Sequence, residues 1–384
     1  MKKLLFSAVS LEIGGIETAL VTLLNYLSSI KYEITLVLEK KQGIFLDSLN
    51  PNIKIIEYTP SANKIVPIRK AINLLKQTMF KAKYKNKFDF SCSYATYSKP
   101  ASFVARTASK NSALWVHSEY MTVLENDKEK YIRFFDGVKA CEFKNIIFVS
   151  NNAKNIFVKT CQEIENPNNN IVNLQKEKNI FKYKNIQNKV QVINNIVNYE
   201  EILEKSKEKV TDVKKENIYT FLNVGRHTEE DKKITRIIES AKKIKEDGLK
   251  FRIILIGDGE KTLQYKNMVE KYNLQEEVLF LGKKKNPYPY FKIADCFLLT
   301  SEYEGFPVVY TEAMVLGLPI ITTDVSDSRE VIENKYGIVV EKNVNSIYNA
   351  MEKIMNEGFS CNEIFDGKKY NDNIEKQILK IIEN

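Results

Sequence analysis

Short apolar runs of strand length alternate with stretches of helical periodicity along the whole chain, and this alternation restricts the fold more than any other feature of the sequence. Runs of this kind separated by amphipathic helices specify βαβ units, whose strands pair in parallel and are covered by helices on both faces. A first set predicts strands at 4–9, 34–38, 53–57, 88–94, 113–116, 146–149 and 190–193, with a helix at 16–27 after the first strand. A second set predicts strands at 219–224, 251–256, 278–281, 296–299, 320–323 and 338–340. Between them, residues 163–189 are rich in Asn, Lys and Gln and read as an exposed insertion, while 198–216 is dominated by Lys and Glu. The sequence therefore predicts an α/β chain of two doubly wound, Rossmann-like domains, 1–200 and 217–365, joined by a linker at 201–216. In such sheets ligands bind beyond the carboxyl ends of the strands, and two facing domains would put a central cleft there.

The 384 residues are enough for two domains of ordinary size. The start, Met1 to Ser10, imitates a secretory signal, but its apolar run is short and Glu12 interrupts it, so a first buried strand is expected. No stretch approaches the roughly 20 apolar residues of a membrane-spanning helix. Five scattered cysteines without C-x-x-C spacing, and only two histidines, argue against a disulfide framework or a structural zinc and fit reduced thiols in a cytoplasmic protein. The net charge of +9 is uneven: residues 1–200 hold 29 Lys and Arg against 17 Asp and Glu, which leaves −3 for the remainder. The densest basic stretch runs from Lys64 to Lys87, where Ile68, Ile72, Leu75 and Met79 recur at helical spacing while Arg69, Lys70, Lys76 and Lys81 point elsewhere. A basic amphipathic helix of this kind suits an anionic membrane surface, on the inner face of the cytoplasmic membrane; the alternative is a solvated surface helix. No stacking-aromatic or recognition-helix pattern accompanies it, so nucleic acid is not expected as a partner.

Chemistry concentrates in the segment Ser301 to Asp324, where Glu304 and Glu312 stand eight residues apart across a Gly305-Phe306-Pro307 turn. Pro307 suits the first position of a helix because its φ is fixed and its missing N–H would have had no partner. The following run, Val308 to Leu316, is apolar on nearly every side, and Gly317 and Pro319 stop it. Glu312 is thus expected to be partly buried, a costly state unless something donates to it. A bound ligand could donate; the alternative is a distant Lys or backbone N–H, with Glu304 an ordinary loop acid. The helix start beside Glu304 offers free N–H groups and the positive end of a dipole, which together form an anion site. Anion plus hydroxyls suggests a sugar nucleotide.

The segment from Glu304-Gly305-Phe306 to Glu312-Ala313 resembles the E-x7-E motif of the family-4 retaining glycosyltransferases, enzymes of GT-B fold, of the bacterial surface-polysaccharide type. The resemblance extends in layout over nearly the whole chain and is strong from about 219 to 340. It implies that Glu312 bonds the ribose hydroxyls and Glu304 the sugar hydroxyls. The Gly305, Phe306, Pro307 and Val308 turn would meet sugar or phosphate through its backbone. Gly225-Arg226 ends the strand at 219–224 and Lys232 follows, matching the family's G-R…K pattern, in which the two cations hold the diphosphate and stabilise its growing charge. Lys233 beside Lys232 leaves that assignment open by one residue.

In the first domain, Gly14-Gly15-Ile16-Glu17 opens the first helix and resembles the family's amino-terminal loop, where the backbone can approach a ligand closely. His117 ends an apolar strand, at a position where the family often carries a histidine touching the donor sugar; the alternative is a structural histidine. Gly282 and Lys283 resemble a turn near the nucleobase. The resemblance further implies that the helix at 366–384 packs back on the first domain. No clustered His, Cys or Asp suggests a metal, and no cofactor is expected. The function implied is transfer of a hexosyl or N-acetylhexosaminyl group from a nucleotide sugar, uridine-linked, to a glycan or lipid-linked glycan. The alternatives are a nucleotide-sugar epimerase of the same fold and a non-catalytic binding subunit.

Overall fold

The computed structural model describes residues 1–384 apart from 13, 31, 166–182, 184 and 215, so most of the insertion expected at 163–189 lies outside the described residues. The chain divides into two compact units, Met1–Ile196 with Asn371–Asn384, and Val197–Tyr370. The first unit holds β1 (Lys3–Ala8), β2 (Glu33–Leu38), β3 (Lys54–Glu57), β4 (Phe90–Ser93), β5 (Ser112–Val116), β6 (Asn145–Phe148) and β7 (Val190–Val192). The second holds β8 (Tyr219–Val224), β9 (Phe251–Ile256), β10 (Val278–Gly282), β11 (Cys296–Leu299), β12 (Ile320–Thr323) and β13 (Gly337–Val340). Each strand lies within a few residues of its expected position.

The sheets are seven-stranded, in the order β3-β2-β1-β4-β5-β6-β7, and six-stranded, in the order β10-β9-β8-β11-β12-β13. Every pairing is parallel. Strands buried on both faces need apolar residues at successive positions, and Leu4-Leu5-Phe6, Phe221-Leu222 and Ile253-Ile254-Leu255 supply them. The helix Ile234–Glu246 shows the complementary pattern: Ile234, Ile237, Ile238, Ala241 and Ile244 fall on one face and are buried against the second sheet. Each large aliphatic side chain so buried contributes about 1.5–3 kcal/mol.

One boundary differs from expectation. Residues 201–216 were expected as a linker, but the stretch from Val197 packs into the second unit. Val197 and Ile202 are buried there, Val210 and Val213 lie against the same cluster, and Asp212 binds Lys284 at 2.5 Å and the Tyr290 hydroxyl at 2.8 Å. A few apolar residues, Tyr199 among them, dock this Lys/Glu-rich segment. The closing helix, Gly367–Glu383, belongs to the first unit from Asn371 onward. Ile374, Ile378, Ile381 and Ile382 are buried along it. Lys2 meets Glu383 at 2.5 Å and Asn111 Nδ2 donates to the Ile381 carbonyl at 2.9 Å.

Candidate active site

In each sheet the strand order reverses, between β1 and β4 in one unit and between β8 and β11 in the other. Ligands of doubly wound sheets bind beyond the strand ends at such points, because the loops there diverge and leave a crevice. In the second unit the segments following β8 and β11 carry Arg226, Lys232, Glu304 and Glu312.

The segment after β8 is held by close backbone packing. Gly257, at φ +142°, lets the end of β9 come so near that an added Cβ would stand 1.8 Å from the Gly225 carbonyl oxygen, so no other residue fits. His227 is fully buried beneath this crossing, with Nδ1 at 2.9 Å from the Thr262 hydroxyl. Burial lowers its pKa, an effect that nearby Asp258 only partly opposes, so the ring is a neutral strut. Arg226 extends into solvent with its guanidinium 3.5 Å from Asp231, whereas Lys232 turns inward. Lys233 is in the left-handed region at φ 50°, with its ammonium 3.8 Å from Glu229. Of the two adjacent lysines, Lys232 is therefore the one that reaches the acidic loop.

That loop follows β11. Lys232 Nζ lies 2.6 Å from Glu304 Oε1, and the Ser301 hydroxyl donates to the same oxygen at 2.7 Å. The two segments are also joined at backbone level. Thr300 Oγ1 donates to the carbonyls of Lys232 and Lys233 at 3.2 and 3.1 Å, and Glu302 N–H donates to the Asp231 carbonyl at 2.7 Å. Arg236 completes the junction, donating to the Thr300 carbonyl at 3.0 Å and to the Glu302 carboxylate at 2.5 Å. Glu304 is thus an enclosed, paired carboxylate rather than a solvated loop acid.

Pro307 caps the next helix instead of opening it: its backbone is extended, and the helix runs Val308–Val315 with no side chain capping its start. The shift by one residue leaves the first helical N–H groups as expected. Phe306 is buried, edge-on to Tyr310 at 6.1 Å. The Gly305 carbonyl accepts from the Ser326 hydroxyl. Glu312 is buried, 8 % exposed, and its partner is the Tyr288 hydroxyl, which donates at 3.2 Å. Burial pushes the Glu312 carboxyl up to about 7, with the Tyr288 hydrogen bond holding it down in part. The donor that spacing could not identify is therefore a tyrosine 24 residues upstream. Gly282, at φ +66°, ends β10, and Lys283 after it is exposed.

The strand ends of the first unit are built differently. Gly14 caps the helix Gly15–Ser29, and the Glu17 side chain folds back over it, so that a Cβ there would stand 2.2 Å from Glu17 Oε2. His117 is buried between Tyr94 and Trp115, with ring centroids at 4.2 and 6.1 Å. Burial lowers its pKa to about 3, which keeps the ring neutral. Its Nε2, Trp115 Nε1 and Ser93 Oγ are buried polar atoms with no hydrogen-bond partner among the described residues.

Sequence reasoning missed His227, Tyr288, Arg236, Thr300 and Ser301. Only the position of His227 beside Gly225-Arg226 offered a signal; the others act through contacts that exist once the strands are side by side. Among the described residues no group of three or more His, Cys, Asp or Glu side chains is arranged to hold a metal ion.

Residues 204–377 match the family of glycosyl transferases group 1, a span that contains Arg226, Lys232, Glu304 and Glu312. That stretch is a group 1 glycosyltransferase domain, and the chain has the GT-B fold. It is 24 % identical over 370 residues to a Campylobacter jejuni enzyme, N-acetylgalactosamine-N,N'-diacetylbacillosaminyl-diphospho-undecaprenol 4-alpha-N-acetylgalactosaminyltransferase, covering 93 % of this glycosyltransferase and 91 % of that one. An uncharacterised glycosyltransferase of Methanocaldococcus jannaschii is 34 % identical over 160 residues, 40 % of this chain, and the match spans 39 % of that relative's length. The fold matches the crystal structure of Anabaena HepE in complex with UDP and glucose, with a TM-score of 0.71, 16 % identity and coverage of 99 % of this chain and all of that one.

Proposed function

We propose that this glycosyltransferase moves a sugar from a UDP-sugar to a lipid-linked glycan of cell-surface polysaccharide, with retention at the anomeric carbon. One observation carries the donor side: Lys232, from the segment after β8, meets Glu304, from the segment after β11, at 2.6 Å, just before the Val308–Val315 helix that carries Glu312. Glu312 receives the ribose hydroxyls and Glu304 the sugar hydroxyls, with the diphosphate between them at Lys232, Arg226 and the helix N–H groups. As the sugar leaves, charge grows on the diphosphate, and the cations drawn onto it stabilise it more in the transition state than before. The acceptor attacks from the face the diphosphate vacates, and a phosphate oxygen takes its proton. The chain's own cations meet the charge, so no divalent cation is required. The names of the relatives support this assignment, since one acts on a diphospho-undecaprenol glycan and another was solved with UDP and glucose.

The test is a panel of UDP-hexoses and UDP-N-acetylhexosamines offered with a polyprenyl-diphosphate-linked glycan, with and without excess EDTA. Release of UDP with an α-linked product in both conditions is expected. An isomerised nucleotide sugar without transfer would make the protein an epimerase, and no turnover with any donor would leave a binding subunit.

The lipid side rests on the helix Val66–Tyr84. Only Phe80 is buried along it, packed 5.3 Å from Tyr58 and 6.1 Å from Phe103, while Ile68, Leu75 and Met79 are 43, 61 and 63 % exposed on another face. From Tyr58 to Phe88 there are eight Lys and Arg and no Asp or Glu. An exposed apolar stripe flanked by bases suits an anionic bilayer, the apolar groups entering the headgroup boundary while lysines reach the phosphates. Leu75→Glu with Met79→Glu should abolish sedimentation with phosphatidylglycerol vesicles; unchanged sedimentation would leave only a solvated helix. Among the described residues no helix is long and apolar enough to cross a membrane.

A further inference from the structure

Lys232 and Glu304 are assigned to different parts of the donor, yet they hold each other at 2.6 Å, with side chains only 20 and 13 % exposed. The segments carrying them are tied through Thr300, Glu302 and Asp231, so the pair opens by side-chain movement and not by separation of the loops. We propose that this ion pair is an exchange switch that makes the site prefer an intact nucleotide sugar over the spent nucleoside diphosphate. The inference rests on the donor site proposed above.

The chemistry is a count of partners. A nucleoside diphosphate draws Lys232 onto its phosphates and leaves Glu304 with the Ser301 hydroxyl alone, in a confined space beside additional negative charge. A charged hydrogen bond lost in such surroundings is costly. A nucleotide sugar draws Lys232 in the same way but supplies sugar hydroxyls that donate to the freed carboxylate. Glu304 therefore opposes the product and welcomes the substrate, and specificity is the difference between those two free energies. After transfer the sugar hydroxyls depart, Glu304 recaptures Lys232, and the diphosphate loses its principal cation. One carboxylate thus serves donor selection and product release.

The experiment is calorimetric titration of UDP into the full chain and its Glu304→Gln, Lys232→Met and doubly substituted forms, each first checked for an unchanged melting profile. Glutamine keeps the shape and the Ser301 contact while removing the charge. Glu304→Gln is expected to bind UDP at least about fivefold more tightly than the native chain, a gain of about 1 kcal/mol, even though it loses transfer activity. In the Lys232→Met background the same change is expected to give no gain, because there is no pair to release. A Glu304→Gln protein that binds UDP no more tightly would overturn the switch, as would an equal gain in the Lys232→Met background, which would reduce the effect to general repulsion between charges. Failure of the native chain to bind UDP would instead overturn the donor assignment, and this inference with it.

Discussion

The two units present the same topological feature, a reversal of strand order, and furnish it in opposite ways. Beyond β8 and β11 the polar groups are spent on one another: Lys232 on Glu304, Arg236 on Glu302, Tyr288 on Glu312. At the ends of β4 and β5 the buried atoms Ser93 Oγ, Trp115 Nε1 and His117 Nε2 have no hydrogen-bond partner among the described residues, and Glu17 of the first helix folds back toward Gly14. Groups already paired in this way must exchange partners to take a ligand, the exchange proposed above for Lys232 and Glu304. The contrast agrees with the donor site proposed for the second unit. The family match at 204–377 falls mostly in the second unit.

Substitutions can break this contrast. The largest effect is expected from Lys232→Met, which should lower turnover at least about a hundredfold, the size seen when a donor to a developing oxyanion is lost; a change under tenfold would mean that Lys232 serves only Glu304. Arg226→Ala should cost about tenfold, since its guanidinium starts in solvent 3.5 Å from Asp231 and must move to reach a phosphate. Steady-state kinetics with unaltered turnover would remove it from the diphosphate.

Glu312 gives a pH-dependent comparison. Its carboxyl titrates near 7 in the fold, and ribose hydroxyls need the ionised acceptor. The ratio of UDP affinities, native over Glu312→Gln, should therefore rise about tenfold between pH 6 and 8, the change in ionised fraction across that window. Stability moves the other way. A carboxyl raised in the fold is ionised first in the unfolded chain, so its destabilising effect is absent below about 4.5 and grows as pH rises to about 7. Glu312→Gln should accordingly raise the melting temperature at pH 8 and not at pH 4. The smallest effect is expected from His117→Asn, a loss of about three- to tenfold. The native pH–rate profile should show no His117 limb between pH 5 and 8, because its ring stays neutral down to about pH 3.

The fold was legible because parallel strands buried on both faces leave continuous apolar runs, as at Leu4-Leu5-Phe6 and Ile253-Ile254-Leu255. Gly225, Arg226 and Lys232, with Glu304 to Glu312, were legible as two groups, since each sits at the end of a strand that could be counted. Their pairing was not. The Lys232–Glu304 contact joins residues 72 apart and the Tyr288–Glu312 contact residues 24 apart, and no local period encodes either. Residues 197–216 misled for a different reason: their charged residues dominate the composition, but Val197, Ile202, Val210 and Val213 decide where the segment packs. Pro307 suits a helix start at either of two positions, and the structure uses it as the cap.

The proposed donor site seats a uridine diphosphate between Lys232 and Glu312. Equilibrium titration of UDP into the native chain and into Glu312→Ala tests it most directly. Saturable binding by the native chain and at least about tenfold weaker binding after the substitution are expected, from the loss of two charge-assisted hydrogen bonds to ribose; equal dissociation constants would rule out Glu312 as the ribose partner.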